Sequence, residues 1–214
     1  MVRLDAKTQS KAALPLKLVA RRLFAERGVD GVTVREIARA AGQKNHGAVG
    51  YHFKSKEALV REIIRDGAIV IDARRNRALD RLEAQGGPRG VREVADLLVR
   101  TSLSEDPSDG EESYIRFITM LSMTHRELFM DALEGRWNSG YQRCLEHLRR
   151  LMPPMPRPVQ NQRFVFMGAY LGAVLARRDA ALSDTTRAHP MWRSGETLRH
   201  LGITLAALLD APTE

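Results

Sequence analysis

"AGQKNHGAVGYHFKSKEAL", residues 41 to 59, lies between two stretches of clear helical periodicity and interrupts both. It gathers glycine, asparagine and histidine, then Tyr51-His52-Phe53, then a lysine-serine-lysine run. A packed core has little use for such polar residues, and a plain loop would not need Ala48, Val49 and Phe53. The pattern reads as a short helix held between two others, apolar on its inner side and polar on its outer side.

The flanks sharpen this. Upstream, Leu16, Val19, Ala20, Leu23 and Phe24 recur at i, i+3, i+4, i+7 and i+8, one face of an amphipathic helix over 14–27 that Gly28 stops. Thr33-Val-Arg-Glu36 is a capping box: the threonine hydroxyl accepts from an exposed first-turn amide while the glutamate reaches back. Val34, Ile37, Ala38 and Ala41 then form the apolar face of a short second helix ended by Gly42. A third starts near Asn45 with Ala48, Val49 and Phe53 inward. Ser55 is a good N-cap for a fourth, from Lys56 to about Gln85, carrying Leu59, Ile63, Val70, Ile71 and Leu82 before the Gly86-Gly87-Pro88 breaker.

Two short helices joined through Gly42 make a helix-turn-helix, whose second helix keeps a polar face free. Lys44, Asn45, His46, Tyr51, His52 and Lys56 stand on or beside that face, with groups that donate to phosphate oxygens or base edges. Charge points the same way. Residues 1–60 hold 12 Lys+Arg against 5 Asp+Glu, a net of +7, out of +8 for the whole 214-residue chain. All six lysines fall there too. That asymmetry calls for a polyanionic partner of the N-terminal part alone, nucleic acid or an anionic surface.

LFAERGVDGVTVREIARAAG (23–42) followed by YHFKSKEAL (51–59) resembles the DNA-binding domain of the TetR/AcrR family of bacterial transcriptional regulators, a match running from about Leu16 to Ile64. The resemblance implies an all-α homodimer: an N-terminal three-helix bundle with helix-turn-helix, plus a larger C-terminal helical domain for ligand binding and dimerisation. It draws the DNA-binding domain over 1–55 and the second domain over 56–214. It implies phosphate contacts by Thr33, Lys44, Tyr51, His52 and Lys56, with Asn45, His46 and Ala48 nearest the bases of an operator. Two departures stand out. One extra residue separates Gly42 from Phe53, which lengthens the turn near Gln43-Lys44, and Gly50 replaces the family's usual large side chain.

Further helices are expected over 90–103, 112–124, 126–152, 158–183 and 191–210, with an acidic loop, SEDPSDGEES, before the second of these. Phe117, Met120, Trp137, Tyr141, Met167 and Tyr170 sit where aromatic and methionine residues gather; an ordinary core is one reading, an effector pocket implied by the resemblance the other. Phe164, Gly168, Leu171, Gly172 and Leu175 place two glycines one turn apart, and Leu198, Leu201 and Leu205 form a later stripe. They are read as a dimer interface, with packing inside the chain the alternative. Apolar residues make up 43% of the chain, enough for a core. No 18-residue apolar run exists to span a membrane. The lone Cys144 excludes an internal disulfide, and no leader-like stretch opens the chain, so a cytoplasmic protein is expected. His46 and His52 lack partners at metal-ligand spacing, and neither a metal nor another cofactor is expected. No phosphate loop, dinucleotide fingerprint or nucleophile elbow points to an enzyme. The expected function is therefore a ligand-responsive repressor that binds a palindromic operator and is released by a small apolar or amphipathic effector. An enzyme using the C-terminal pocket and a constitutive architectural DNA-binding protein are the competing readings.

Overall fold

The computed structural model describes residues 13–45, 47–104 and 113–213. Among them there are eleven helices and no strand. They are α1 (Ala13–Arg27), α2 (Val34–Ala40), α3 (Ala48–Phe53), α4 (Lys56–Ala84), α5 (Val91–Thr101), α6 (Tyr114–Thr124), α7 (Arg126–Leu133), α8 (Ser139–Leu151), α9 (Arg157–Ser183), α10 (Pro190–Arg193) and α11 (Gly195–Asp210). The all-helical architecture expected from the sequence is the one found, with the small N-terminal bundle leading a larger helical body.

Two cores hold it together. In the first, Leu16, Ala20 and Phe24 of α1 meet Ile37 of α2, Val49 and Phe53 of α3, and Leu59, Val60 and Ile64 of α4. This core does not stop at residue 55, since Tyr114, Phe117 and Leu121 of α6 and Leu133 of α7 belong to it as well. The second joins the far half of α4, at Leu79, to α5, α8, α9 and α11. The long α4 is thus shared between the cores, and α6 lies across it. A Cβ on Gly67 would stand 2.2 Å from Tyr114 Cε2. Only glycine lets the two helices approach so closely, and Tyr114 Oη then donates to Ile64 O at 2.7 Å.

Charged groups set the helix angles where apolar contact alone would allow sliding. Lys17, 5% exposed, runs from α1 to Glu62 at 2.9 Å and Asp66 at 2.7 Å on α4. Arg163 of α9 donates to Leu209 O at 2.7 Å and Pro212 O at 3.2 Å, satisfying carbonyls left open at the end of α11.

Three sequence expectations are corrected here. The helix foreseen over 126–152 is two, because Glu134 and Gly135 take left-handed φ of 50° and 63° and turn the chain between α7 and α8. The helix foreseen over 191–210 is divided at Ser194, which caps α11 by accepting from Glu196 N. The stripe assigned to a dimer interface faces this chain's own core: Phe164, Leu171, Leu175, Leu201 and Leu205 are all buried in the second cluster. Gly168 and Gly172 make room for neighbours within the chain, Tyr141 Oη at 3.5 Å and Thr119 Oγ1 at 3.1 Å from the Cβ each lacks. Leu198 packs on the edge of the same cluster.

Candidate nucleic-acid interface and cavity

The helix-turn-helix is assembled from local chemistry. Thr33 caps α2 by accepting from Glu36 N at 3.2 Å, while Glu36 Oε2 accepts from Thr33 N at 2.8 Å. The Glu36 carboxyl is held down to about 2, first by the Thr33 amide, then by Arg27, whose guanidinium lies 2.8 Å away. At its other end α2 closes with Gln43 N donating to Ala38 O and Gly42 N to Arg39 O. That paired closure needs a left-handed residue, and Gly42 supplies it at φ 68°. The turn then runs to Asn45, whose Oδ1 accepts from Gly47 N at 2.8 Å, so Asn45 rather than the N-cap residue Gly47 satisfies the entry to α3.

α3 is anchored by Ala48, Val49 and Phe53. Its outer side is bare. Tyr51 is 85% exposed, and Lys44, Asn45, Gly47, Gly50, Lys54 and Ser55 are exposed around it. Nothing lies within 4 Å of where a Gly50 side chain would begin. His52 is half-buried, its ring edge-on to Tyr51 at 5.0 Å. Lys54 ends the helix with φ 66°, a strained conformation for a lysine, and Ser55 Oγ accepts from Ala58 N to start α4. Arg35 and Arg39 add exposed cations on α2. Sequence reasoning passed over these two, though their spacing, opposite Ile37 and Ala38, already put them on the outer face.

Two residues assigned to DNA from the sequence sit otherwise. Ala48 is 6% exposed, its methyl turned into the first core, because a three-helix bundle needs a small residue where α3 packs. Lys56 spans back to the loop between α1 and α2, donating to Val29 O at 3.0 Å and Val32 O at 3.2 Å. Its ammonium thus braces the bundle. Thr33 is exposed but busy as a cap. His46 lies outside the described residues, as does most of the acidic loop.

In the larger body, α4, α6, α7, α8 and α9 surround a cavity of about 390 Å³. Ile71 and Arg75 of α4, Ile118 of α6, Phe129 and Met130 of α7, and Leu171 of α9 are among its walls. Trp137 and Tyr141, expected there, do line it. The other four expected residues do not. Phe117, 1% exposed, stacks on Phe24 of α1 with ring centroids 6.0 Å apart. Met120 reaches toward Gly28, Met167 is sealed in the second core, and Tyr170 Oη bonds Thr204 Oγ1 of α11 at 2.9 Å. The cause is common to all four: helical periodicity marks a face as apolar without saying which neighbour covers it.

The cavity and the N-terminal bundle share α6. One side of α6 offers Ile115, Ile118, Thr119 and Ser122 to the cavity, and the other packs Phe117 and Leu121 into the first core. Just past its end, His125 Nε2 lies 3.1 Å from Asp30 Oδ2 in the loop between α1 and α2. α7 is pinned to α4 by Arg65–Glu134 and, at 3.7 Å, Arg61–Asp131. No group of three or more metal-ligating side chains occurs among the described residues, and no helix there is long and apolar enough to cross a membrane.

Residues 18–63 match the sequence family described as bacterial regulatory proteins, tetR family. The HTH-type transcriptional repressor KstR2 of Mycolicibacterium smegmatis is 48% identical over 48 residues, which are 22% of this chain and 23% of that protein. The similarity to such curated relatives therefore spans about a quarter of their length. Solved structures extend the likeness to the whole fold. A transcription regulator of Shewanella sp. PV-4 assigned to the tetR family superposes with a TM-score of 0.59 at 17% identity, over 94% of this chain and 98% of its own. The TetR family transcriptional regulator PfmR of Thermus thermophilus gives 0.55 at 15% identity, over 93% and 98%. The N-terminal helices thus carry a match to the tetR family of bacterial regulatory proteins, and the chain as a whole shares the fold of solved TetR-family regulators.

Proposed function

We propose that this protein is a non-enzymatic transcriptional repressor of the cytoplasm that binds a palindromic operator as a homodimer and leaves it when a small molecule fills the cavity. Residues 1–55 would read the duplex, and 56–214 would sense and dimerise. The observation that carries the reading is the outer side of α3: an 85%-exposed tyrosine among lysines, asparagine and bare glycines, on a short helix held rigidly from behind. The exposed ring stands beside cationic and hydrogen-bonding groups on one face, a combination that suits contact with a nucleic acid. A groove of DNA meets that face, with Tyr51, His52, Lys44 and the cap at Thr33 directed to phosphates and Asn45 and His46 to base edges. Gly47 and Gly50 let the backbone approach the groove closely.

Dimerisation is assigned to the outward sides of α9 and α11, where Val165 and Phe166 are 68% and 57% exposed and Ala169, Ala173 and Ala207 continue the apolar surface. The Tyr170–Thr204 hydrogen bond ties the two helices into one face. Release follows from the shared helix. A ligand pressing on Ile118 and Thr119 displaces α6, and with it Phe117 against Phe24 and His125 against Asp30, so α1 and the reading helix turn with it. Only a ligand that prefers the displaced state can shift the equilibrium.

Selection of bound duplexes from a random pool tests the reading. It should enrich inverted repeats whose half-sites lie one helical turn apart or a small multiple of it. Enrichment of single, non-repeated sites, or of none, would overturn it.

A further inference from the structure

Arg75 of α4 is 8% exposed and lines the cavity. Its Nε donates to Thr101 Oγ1 and its Nη2 to Ser102 Oγ, both at 3.1 Å, and Nη1 bonds to no described residue. Both acceptors are neutral. A buried guanidinium stays charged and is costly to hold without a counter-ion. The nearest acid in sequence, Asp72, lines the same cavity and its charge favours the charged form of Arg75, but its two oxygens accept from Ser139 Oγ and Gly140 N, each at 2.7 Å, and make no direct bond to the guanidinium. No carboxylate comes within ion-pair distance of Arg75 among the described residues. Tyr141, whose ring lies 5.7 Å from the guanidinium, and Cys144 offer no balancing charge, since burial raises both above their ordinary range, Cys144 to about 11. Burial pulls Arg75 itself the other way, below its usual value. A second donor stands in the same wall: the indole N–H of Trp137 is buried and has no hydrogen-bond partner.

We infer that the cavity takes an anionic amphiphile, a carboxylate on an apolar chain or ring, whose head pairs with Arg75 and accepts from the Trp137 indole. Its apolar part lies against Ile118, Phe129, Met130 and Leu171. The chemistry follows from what the site lacks. One planar cation presents an unused edge, and a carboxylate matches that edge with two parallel bonds. Trp137 adds a donor with no acceptor, and the rest of the wall is mostly apolar. A neutral or cationic ligand would leave the guanidinium buried without a directly paired counter-ion, which costs more than pairing it. This inference rests on the reading of the cavity as the effector site, and it narrows the effector to an acid.

The probe is decanoate, compared with 1-decanol and methyl decanoate, on full-length protein carrying Trp192→Phe so that Trp137 alone reports. Decanoate should perturb Trp137 emission with at least about tenfold tighter binding than either neutral analogue, the usual scale for a charge-assisted pair. Arg75→Met should abolish that preference while leaving 1-decanol binding in place, and Arg75→Lys should restore part of it. The analogue comparison needs no change at position 75, so it decides even if Arg75→Met does not fold. Equal binding of acid and alcohol, binding of the alcohol alone, or a preference that survives Arg75→Met overturns the inference, as does the absence of binding by all three. If 1-decanol binds without acid preference and still releases operator DNA, the anion site falls while the effector reading stands. If decanoate binds with the preference but leaves operator affinity unchanged, the anion site stands and the effector reading falls.

Discussion

Tyr51 and Lys56 are five residues apart and do different work. Tyr51 touches little of the protein beyond His52, whereas the Lys56 ammonium is held by two loop carbonyls. Tyr51→Ala should therefore weaken operator binding with no change in melting temperature. Lys56→Met should lower stability by about 1–3 kcal/mol, the cost of leaving carbonyls without their charged donor, and shift DNA affinity mainly through that loss. Thermal melts beside binding curves for both variants separate the roles; equal loss of stability in the two would contradict them. Gly50→Tyr has open space before it, so it should fold normally and tighten binding by restoring the large side chain the family usually carries there. The sequence made Tyr51 legible, because a large ring in a run of small polar residues has no local use. It did not make the brace at Lys56 legible, since nothing in the spacing of 56 from 29 and 32 says that a loop will fold back over it.

Among the elements, those written in local chemistry were readable and those written in long-range packing were not. α2 follows from Thr33, Glu36 and Gly42, all within ten residues. The capping box also has a pH signature. The Glu36 carboxyl, lowered in the folded protein to about 2, stabilises α2 fully above the unfolded value near 4.5, and that stability is lost as pH falls toward 2. The melting difference between wild type and Glu36→Gln should thus be constant above about pH 5 and shrink steadily below it; a difference that stays level down to pH 3 would contradict the assignment. The break between α7 and α8 was hidden because a non-glycine residue, Glu134, carries the first left-handed φ. Of the two α9 glycines, Gly172 makes a close approach inside this chain, to Thr119 of α6, while Gly168 has only an ordinary contact with Tyr141. Gly67 was not singled out at all, yet a Cβ there would stand 2.2 Å from the Tyr114 ring, one of the tightest approaches among the described residues. Gly67→Ala must push Tyr114 off α4, and overpacking of this kind costs about 1–3 kcal/mol. Its unfolding midpoint in urea should drop accordingly, with DNA binding at low temperature weakened as α6 shifts on α1.

At the scale of the molecule, α4 and α6 join the N-terminal bundle to a half-open cavity, so binding at one end has a physical route to the other. Coupling of that kind is reciprocal: whatever factor an effector takes from operator affinity, the operator must take from effector affinity. Trp137 emission in Trp192→Phe protein, titrated with effector in the absence and presence of operator, should give the same factor as DNA titrations with and without effector. Unequal factors at equilibrium would place the effector somewhere other than this cavity. The +7 concentrated in residues 1–60 gives the most direct test of all, since it bears on whether the protein grips DNA through its N-terminal bundle. The measurement is the affinity of the full-length protein for its selected operator, by fluorescence anisotropy, between 50 and 200 mM salt. A dimer making about 6 to 10 phosphate contacts should lose about three to five decades of affinity over that range. An affinity that salt leaves unchanged would contradict the account.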